Sequence, residues 1–254
     1  MRKIKAKLKK IYKSGGVGGL LKRAKGAARR KMTPLEPLAL PHALSKIKKL
    51  GPGLSVDELI DFVFNKIWGI IKPTQLVQEI TGLMEIVKAK SPKIILEIGT
   101  DRGGTLFLFS RIIPDSATII SIDLLSKDGG YPDWRKKLYN TFKLPGQSLH
   151  LIKGNSHDPQ TLKKVKDVLG DQKIDFMFID GDHKYEGVKK DFEIYRDLVK
   201  EGGLIAFHDI TVQPFDKNCT VNIFWDEIKK NYNHRELVQN PDRLLYGIGV
   251  IEYK

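Results

Sequence analysis

The 254-residue chain has a single cysteine, Cys219. That excludes an internal disulfide and any multi-thiolate metal site, and with them zinc fingers and disulfide-stapled secreted scaffolds. No stretch approaches the roughly 18 apolar residues of a membrane-spanning helix. The longest uncharged run near the start, SGGVGGLL, is too short and too glycine-broken for a secretory signal core. A reducing, cytoplasmic setting is therefore expected. Acidic residues number 30 overall, yet residues 1–35 contain none.

The basic residues are just as unevenly placed. Of 44 Lys and Arg, 13 fall within residues 1–35, which leaves 31 to face the 30 acids. The formal charge of +14 thus belongs to a tail on a nearly neutral body. Within residues 1–32, Ile4, Leu8, Ile11 and Tyr12 fall on one face of a helix with lysines around them, and Ser14 to Gly19 interrupts the pattern. A basic amphipathic segment suits an anionic membrane surface, each Lys or Arg contributing about 1 kcal/mol at low screening. The competing readings are a nucleic-acid arm and a solvated tail. Tyr12 alone offers an aromatic for base stacking, which disfavours single-strand recognition. The protein is thus expected to be cytoplasmic and peripheral on the inner face of a membrane.

Pro34, Pro37 and Pro41 read as a linker, and residues 33–54 as linker plus a short helix from Ala43 to Leu50. Ser55, with Glu58 three residues on, has the capping-box pattern for a helix opening at Val56. That helix offers Leu59, Ile60, Val63 and Ile67 as an apolar face. A second helix, roughly Thr74 to Lys88, completes a helical lid region over 55–92. From Lys93, apolar runs of strand length alternate with amphipathic helices: IILEI, TIISID, LHLIK, IDFMFID, GLIAFHD and LLYGIGVIEY are the strands. Such alternation predicts an α/β fold, a Rossmann-like, doubly wound and mostly parallel sheet of about seven strands with an N-terminal helical extension. A helix near Lys184 to Val199 carries Tyr185, Val188, Phe192, Tyr195 and Leu198 as a core stripe.

In sheets of this class ligands bind beyond the carboxyl ends of the strands. The first strand runs into Glu97-Ile98-Gly99-Thr100-Asp101-Arg102-Gly103-Gly104-Thr105. The G-x-G-x-x-G spacing of dinucleotide sites is missing, because Asp101 stands where a glycine would admit pyrophosphate. A carboxylate there opposes phosphate but suits a cofactor with a cationic centre. Asp123 ends the second strand about 20 residues further on, the spacing at which an acid reaches ribose hydroxyls.

With EIGTDRGGT, SIDL, IDGDHKYEGVKKD and GGLIAFHD in order at strand ends, the stretch from Lys93 to Lys254 resembles class I S-adenosylmethionine-dependent methyltransferases. The branch of small-molecule O-methyltransferases and cephalosporin-hydroxylase-like proteins is the most similar. The resemblance implies that Glu97, Gly99, Thr100, Asp101, Gly103, Gly104 and Thr105 hold the methionine part of S-adenosylmethionine. Asp123 would hold the ribose, Gly154, Asn155 and Ser156 would border the adenine, and Asp180 would complete the site.

The fourth strand ends at Asp180-Gly181-Asp182-His183 and the fifth at His208-Asp209. If the two strands are neighbours, about 4.8 Å apart, Asp180, His208 and Asp209 can share a pocket suited to Mg²⁺ or another divalent cation. In related O-methyltransferases acids at these strand ends bind such an ion, which holds the acceptor's oxygens; His208 departs from that pattern. His208 read alone is a core histidine bonded to backbone, and Asp182 a cap for the next helix. His183 reads either as the general base that removes the acceptor proton, with Asp180 beside it as the second catalytic residue, or as part of the cofactor wall. Tyr131 and Trp134 are candidate acceptor contacts, with surface packing as the alternative for Trp134.

The expected function is methyl transfer to a hydroxyl of a sugar, lipid-linked glycan or secondary metabolite. The alternatives are an RNA methyltransferase using the basic tail and a non-catalytic S-adenosylmethionine-binding protein at a membrane. An NAD-linked oxidoreductase is disfavoured by Asp101. The sequence leaves room for a homo-oligomer.

Overall fold

The computed structural model describes residues 36–51, 53–124, 132–239, 242 and 244–254. The basic tail and Tyr131 lie outside the described residues. The chain divides at Ala39 into two units. Of the first, only a 3-10 turn, Glu36–Ala39, is described. The second unit, Leu40–Lys254, carries the sheet and its helices.

Among the described residues seven strands form one sheet: β1 (Ile94–Ile98), β2 (Thr118–Asp123), β3 (Ser148–Lys153), β4 (Ile174–Ile179), β5 (Val199–His208), β6 (His234–Leu237) and β7 (Ile248–Glu252). Their order is β3-β2-β1-β4-β5-β7-β6. The first five pair with one another in parallel, and β7 runs antiparallel to both β5 and β6. Every residue of β1 is buried, as a strand with helices on both faces requires. The α-helices of the described residues are, in chain order, α1 (Leu40–Lys48), α2 (Val56–Asp61), α3 (Val77–Lys90), α4 (Gly104–Ile112), α5 (Asp133–Tyr139), α6 (Pro159–Leu169), α7 (Tyr185–Tyr195) and α8 (Val221–Ile228).

The core is packed by interlocking aromatics. Phe109 of α4 meets Phe176 and Phe178 of β4 edge-on at 5.3 and 5.8 Å. Trp225 of α8 is fully buried, and the Gly249 backbone of β7 lies so close under its ring that any side chain there would collide. Its indole nitrogen donates to Glu236 Oε1 at 2.7 Å and so ties α8 to the edge strand β6. Each such large side chain removed from water contributes about 1.5–3 kcal/mol.

Several local features depart from the sequence pattern. The first helix starts at Leu40 with Pro41 inside it, because a proline is tolerated in a first turn, where amides lack helical partners anyway. Helix α7 ends at Tyr195 and a 3-10 turn hands over to β5 at Val199. β5 is therefore longer than GLIAFHD, and its register against β4 shifts between Ile174 and Phe176. The strand β6 carries no apolar run: its HREL sequence is polar and mostly solvent-facing, a common guard on a sheet edge.

The lid helices are anchored by polar contacts as well as by packing. The capping box at Ser55 is present, with Ser55 Oγ accepting from Glu58 N at 3.2 Å and Glu58 Oε2 accepting from Ser55 N at 2.8 Å. Leu59, Ile60, Val63 and Ile67 are all buried. Deeper in, buried Glu79 of α3 accepts from the Gln239 and Gly247 amides at 3.0 and 3.1 Å, which pins α3 to the segment between β6 and β7. Glu79→Ala leaves two amides unpaired and is expected to destabilise the protein by about 3 kcal/mol. Glu79→Gln, which keeps an acceptor, should lose less. Urea unfolding midpoints check this, and an unchanged midpoint for Glu79→Ala contradicts it.

Candidate active site

The strand order reverses between β1 and β4, and there the chain ends of five strands line up. Ile98 pairs with Ile122 on one side and Ile179 on the other, and Ile179 pairs with Phe207. One residue beyond that row stand Asp123, Gly99, Asp180 and His208. The seam is tight: Asp180 N donates to Ile98 O at 2.8 Å and Gly99 N to Ile122 O at 2.9 Å. Gly99 has φ of 88° and its missing side chain would collide with the Asp180 carbonyl. The glycine is there for backbone approach between strands.

The loop after β1 is braced from within. Glu97 is fully buried, and its carboxyl accepts from Thr105 on one oxygen and from Ser121 on the other, at 3.2 Å for the latter. Thr100 bonds Ser121 in turn. Burial raises the Glu97 pKa to about 8 despite those hydrogen bonds. Glu97, Thr100 and Thr105, expected as cofactor contacts, are all turned inward and shape the loop. Gly103 and Gly104 are likewise crowded, by the Tyr139 ring and by the Ile71 and Pro73 backbone.

The loop's exposed acid is Asp101, in a left-handed conformation with φ of 44°. Its amide donates to Asp123 Oδ2 at 3.0 Å, and its carbonyl accepts from Tyr139 at 2.8 Å. Burial, with Asp101 contributing, raises the Asp123 pKa to about 7. Two acids so close would repel a pyrophosphate, whereas a sulfonium cofactor relieves them. Further along, Asn155 is exposed and Ser156 half-buried. Tyr195 donates to Ser156 O at 2.8 Å, and buried Asp191 lies 3.2 Å from His157 Nε2. Asp191, the last residue of the IDGDHKYEGVKKD motif, thus braces the 154–157 loop from α7.

Beyond β4 and β5 the structure brings Asp180, His208 and Asp209 together, with one potential ligand atom of each within 4.8 Å of the others. His208 Nδ1 is 2.9 Å from Asp180 Oδ1 and 3.7 Å from Asp209 Oδ1. His208 is buried and pairs with acid, not with backbone, and Tyr246 stacks on its ring at 5.7 Å. Burial opposes its charged form, but Asp180 and Asp209 outweigh that and raise its pKa to about 9. Asp209 holds φ of 62°, a strained conformation for a residue with a side chain. Its other oxygen lies 2.7 Å from His183 Nδ1, and that hydrogen bond above all raises the His183 pKa to about 11. A general base works best near neutrality, so His183 is a poor base while Asp209 holds its proton. Asp182 is not the N-cap of α7, a position taken by Lys184; its side chain accepts from Lys184 N at 3.0 Å, just ahead of the helix.

One contact was not legible in the sequence. Buried Gln75, from the lid, donates from Nε2 to Asp180 Oδ2 at 2.7 Å. Its Oε1 and His208 Nε2 are buried with no hydrogen-bond partner. Two carboxylates, an imidazole and an orphaned amide oxygen fit a divalent ion. Trp134 is half-buried with the Arg135 guanidinium 4.5 Å from its ring centroid, so packing engages the expected acceptor platform. Trp68, 72% exposed and stacked on His42 at 3.8 Å, is the open aromatic of the lid.

Residues 96–210 match a protein family described as "Methyltransferase domain". The match covers a little under half of the chain. It starts within β1, runs through β5 and includes every strand end described above. "Uncharacterized protein R132" of Acanthamoeba polyphaga mimivirus is 36% identical over 114 residues, which cover 45% of this chain and 50% of that protein. The chain therefore spans about half the length of that relative. Among solved structures, an O-methyltransferase from Bacillus cereus in complex with SAH superposes with a TM-score of 0.54 at 14% identity, covering 87% of this chain and 92% of that one. A TDP-rhamnose 3'-O-methyltransferase of calicheamicin biosynthesis, CalS11, gives 0.53 at 14% identity, covering 87% and 96%. At such identities the likeness establishes the fold alone, a Rossmann-like, mostly parallel seven-stranded sheet flanked by helices.

The inward carboxyl of Glu97 has a consequence for stability. Glu97 binds its proton more tightly when folded, so its contribution is complete at acid pH and is lost as pH rises from about 4.5 to about 8. Glu97→Gln, which cannot ionise, is expected to gain thermal stability relative to the natural protein by a few kcal/mol between pH 5 and pH 9. Melting temperatures of the two proteins across that range check this, and a constant difference contradicts it.

Proposed function

We propose that the protein is an S-adenosylmethionine-dependent O-methyltransferase whose acceptor hydroxyl is seated at a divalent cation, Mg²⁺ in the first instance, held by Asp180, His208 and Asp209. The observation that carries this reading is the single row of Asp123, Gly99, Asp180 and His208 across the reversal in strand order. It joins an acid-lined cofactor loop to a metal-type donor set. S-adenosylmethionine supplies a sulfonium methyl group, and a divalent ion lowers the pKa of an oxygen beside it.

The chain's own residues do the positioning, which is the larger part of an in-line displacement. Asp123 receives the ribose hydroxyls, and Asn155 and Ser156 flank the adenine. Gln75 and His208 fix the two oxygens of Asp180. His183 is the residue placed to take the hydroxyl proton once the Asp209 charge is engaged elsewhere. Trp68 offers an exposed ring to the acceptor. The likeness to CalS11, which methylates a nucleotide-linked sugar, favours a glycosyl acceptor within the wider class of sugars, lipid-linked glycans and secondary metabolites. We read residues 1–32 as a peripheral anchor on anionic lipid at the cytoplasmic face.

Radiolabelled methyl transfer from S-adenosylmethionine to a panel of nucleotide sugars tests the assignment. Asp180→Asn is expected to lose about 100-fold or more in turnover while keeping S-adenosylhomocysteine affinity. Metal-free enzyme should be inactive until Mg²⁺ is restored. Full turnover in excess chelator excludes the metal, and labelling of RNA in preference to sugars excludes the acceptor class.

A further inference from the structure

A second donor set stands beside the first and is chemically softer. His183, Asp209 and Cys219 bring an imidazole nitrogen, a carboxylate oxygen and a thiol sulfur within 4.8 Å of one another. Ligand atoms of a tetrahedral zinc ion with bonds of about 2.0–2.3 Å lie about 3.3–3.6 Å apart, so binding needs side-chain shifts that part His183 Nδ1 from Asp209 Oδ2, now 2.7 Å apart, and draw in the Cys219 sulfur. The loops that carry them are clamped. Thr220 N donates to His183 O at 2.8 Å and Tyr185 N to Thr220 Oγ1 at 2.7 Å, which fixes Cys219 against His183. Asp209 is held in its strained conformation between the two histidines. Cys219 and Asp209 are buried, whereas the His183 side chain is 41% exposed, which leaves an approach from solvent.

We propose that His183, Asp209 and Cys219 bind a thiophilic divalent transition ion, of which Zn²⁺ is the type, as an alternative to Mg²⁺ at the neighbouring set and not together with it, because the two sets share Asp209 and His183 would no longer be free to take a proton. Thiolate and imidazole select such ions over Mg²⁺, whose preference is for oxygen. Three protein ligands leave a fourth position for water or a substrate oxygen, the pattern of catalytic and not structural zinc sites. On binding, the Cys219 thiol releases its proton to solvent and the proton between His183 and Asp209 leaves as well, so affinity rises with pH.

The test is a titration of metal-free, full-length protein with Co²⁺ as a spectroscopic stand-in for Zn²⁺. The expected result is a thiolate-to-cobalt charge-transfer band in the near ultraviolet, saturating at about one equivalent, with proton release. Cys219→Ser and Cys219→Ala should lose the band and bind Co²⁺ at least about tenfold more weakly, and Asp180→Asn should keep it. A natural protein without the band overturns the proposal, as does equal Co²⁺ affinity in Cys219→Ala or loss of the band in Asp180→Asn. Cys219 is the only thiol of the chain, so the natural protein's spectrum decides even where a variant fails to fold. No methyl transfer is read, so failure here leaves the methyl-transfer reading standing, and failure of that reading leaves this spectrum to be judged by itself.

Discussion

The seam between β1 and β4 governs the rest of the site. Asp180 N donates to Ile98 O, and Gly99 passes so close to the Asp180 carbonyl that no side chain fits between them. Parallel strands at a reversal in order diverge in their connections, one to each side of the sheet, and leave a crevice above their ends. Because the backbones touch there, the loop after β1 and the acidic cluster after β4 and β5 start from adjacent strand ends. In-line transfer needs the donor methyl and the acceptor oxygen within reach of each other along one axis. A looser seam would separate the two halves.

Charge sets the second constraint. Asp180 and Asp209 raise the His208 pKa to about 9 and the His183 pKa to about 11, so that each imidazole balances a neighbouring acid. On the proposed function a divalent ion would compete with those protons for the same acids. The lid supplies what the sheet lacks: Gln75 fixes the second oxygen of Asp180, and Glu79 locks the helix just after Gln75 to the far edge of the sheet.

The sheet was legible because its strands are continuous apolar runs, and the strand-end acids were legible because motifs fall where such runs stop. The edge strand β6 was not, since HREL pairs through its backbone alone and shows no apolar pattern. Among site residues, Asp180, His208 and Asp209 were placed together from adjacency of two strands. Gln75 was invisible, because it lies 105 positions from Asp180 and no periodicity connects them. Glu97 was read as a cofactor contact because its motif borders the loop, and only packing reveals that its carboxyl points inward. Cys219 was read for the disulfide it cannot form; its nearness to His183 depends on how the loop after β5 folds back.

On the proposed function the strand ends take S-adenosylmethionine and not a dinucleotide, and every role given to them depends on that choice. Thermal unfolding of the full chain with S-adenosylmethionine, S-adenosylhomocysteine or NAD, each with and without Mg²⁺, tests it most directly. Either sulfur cofactor at about 100 times its dissociation constant should add about 2.7 kcal/mol of stability, while NAD should add nothing. Stabilisation by NAD with no response to S-adenosylmethionine or S-adenosylhomocysteine would contradict it.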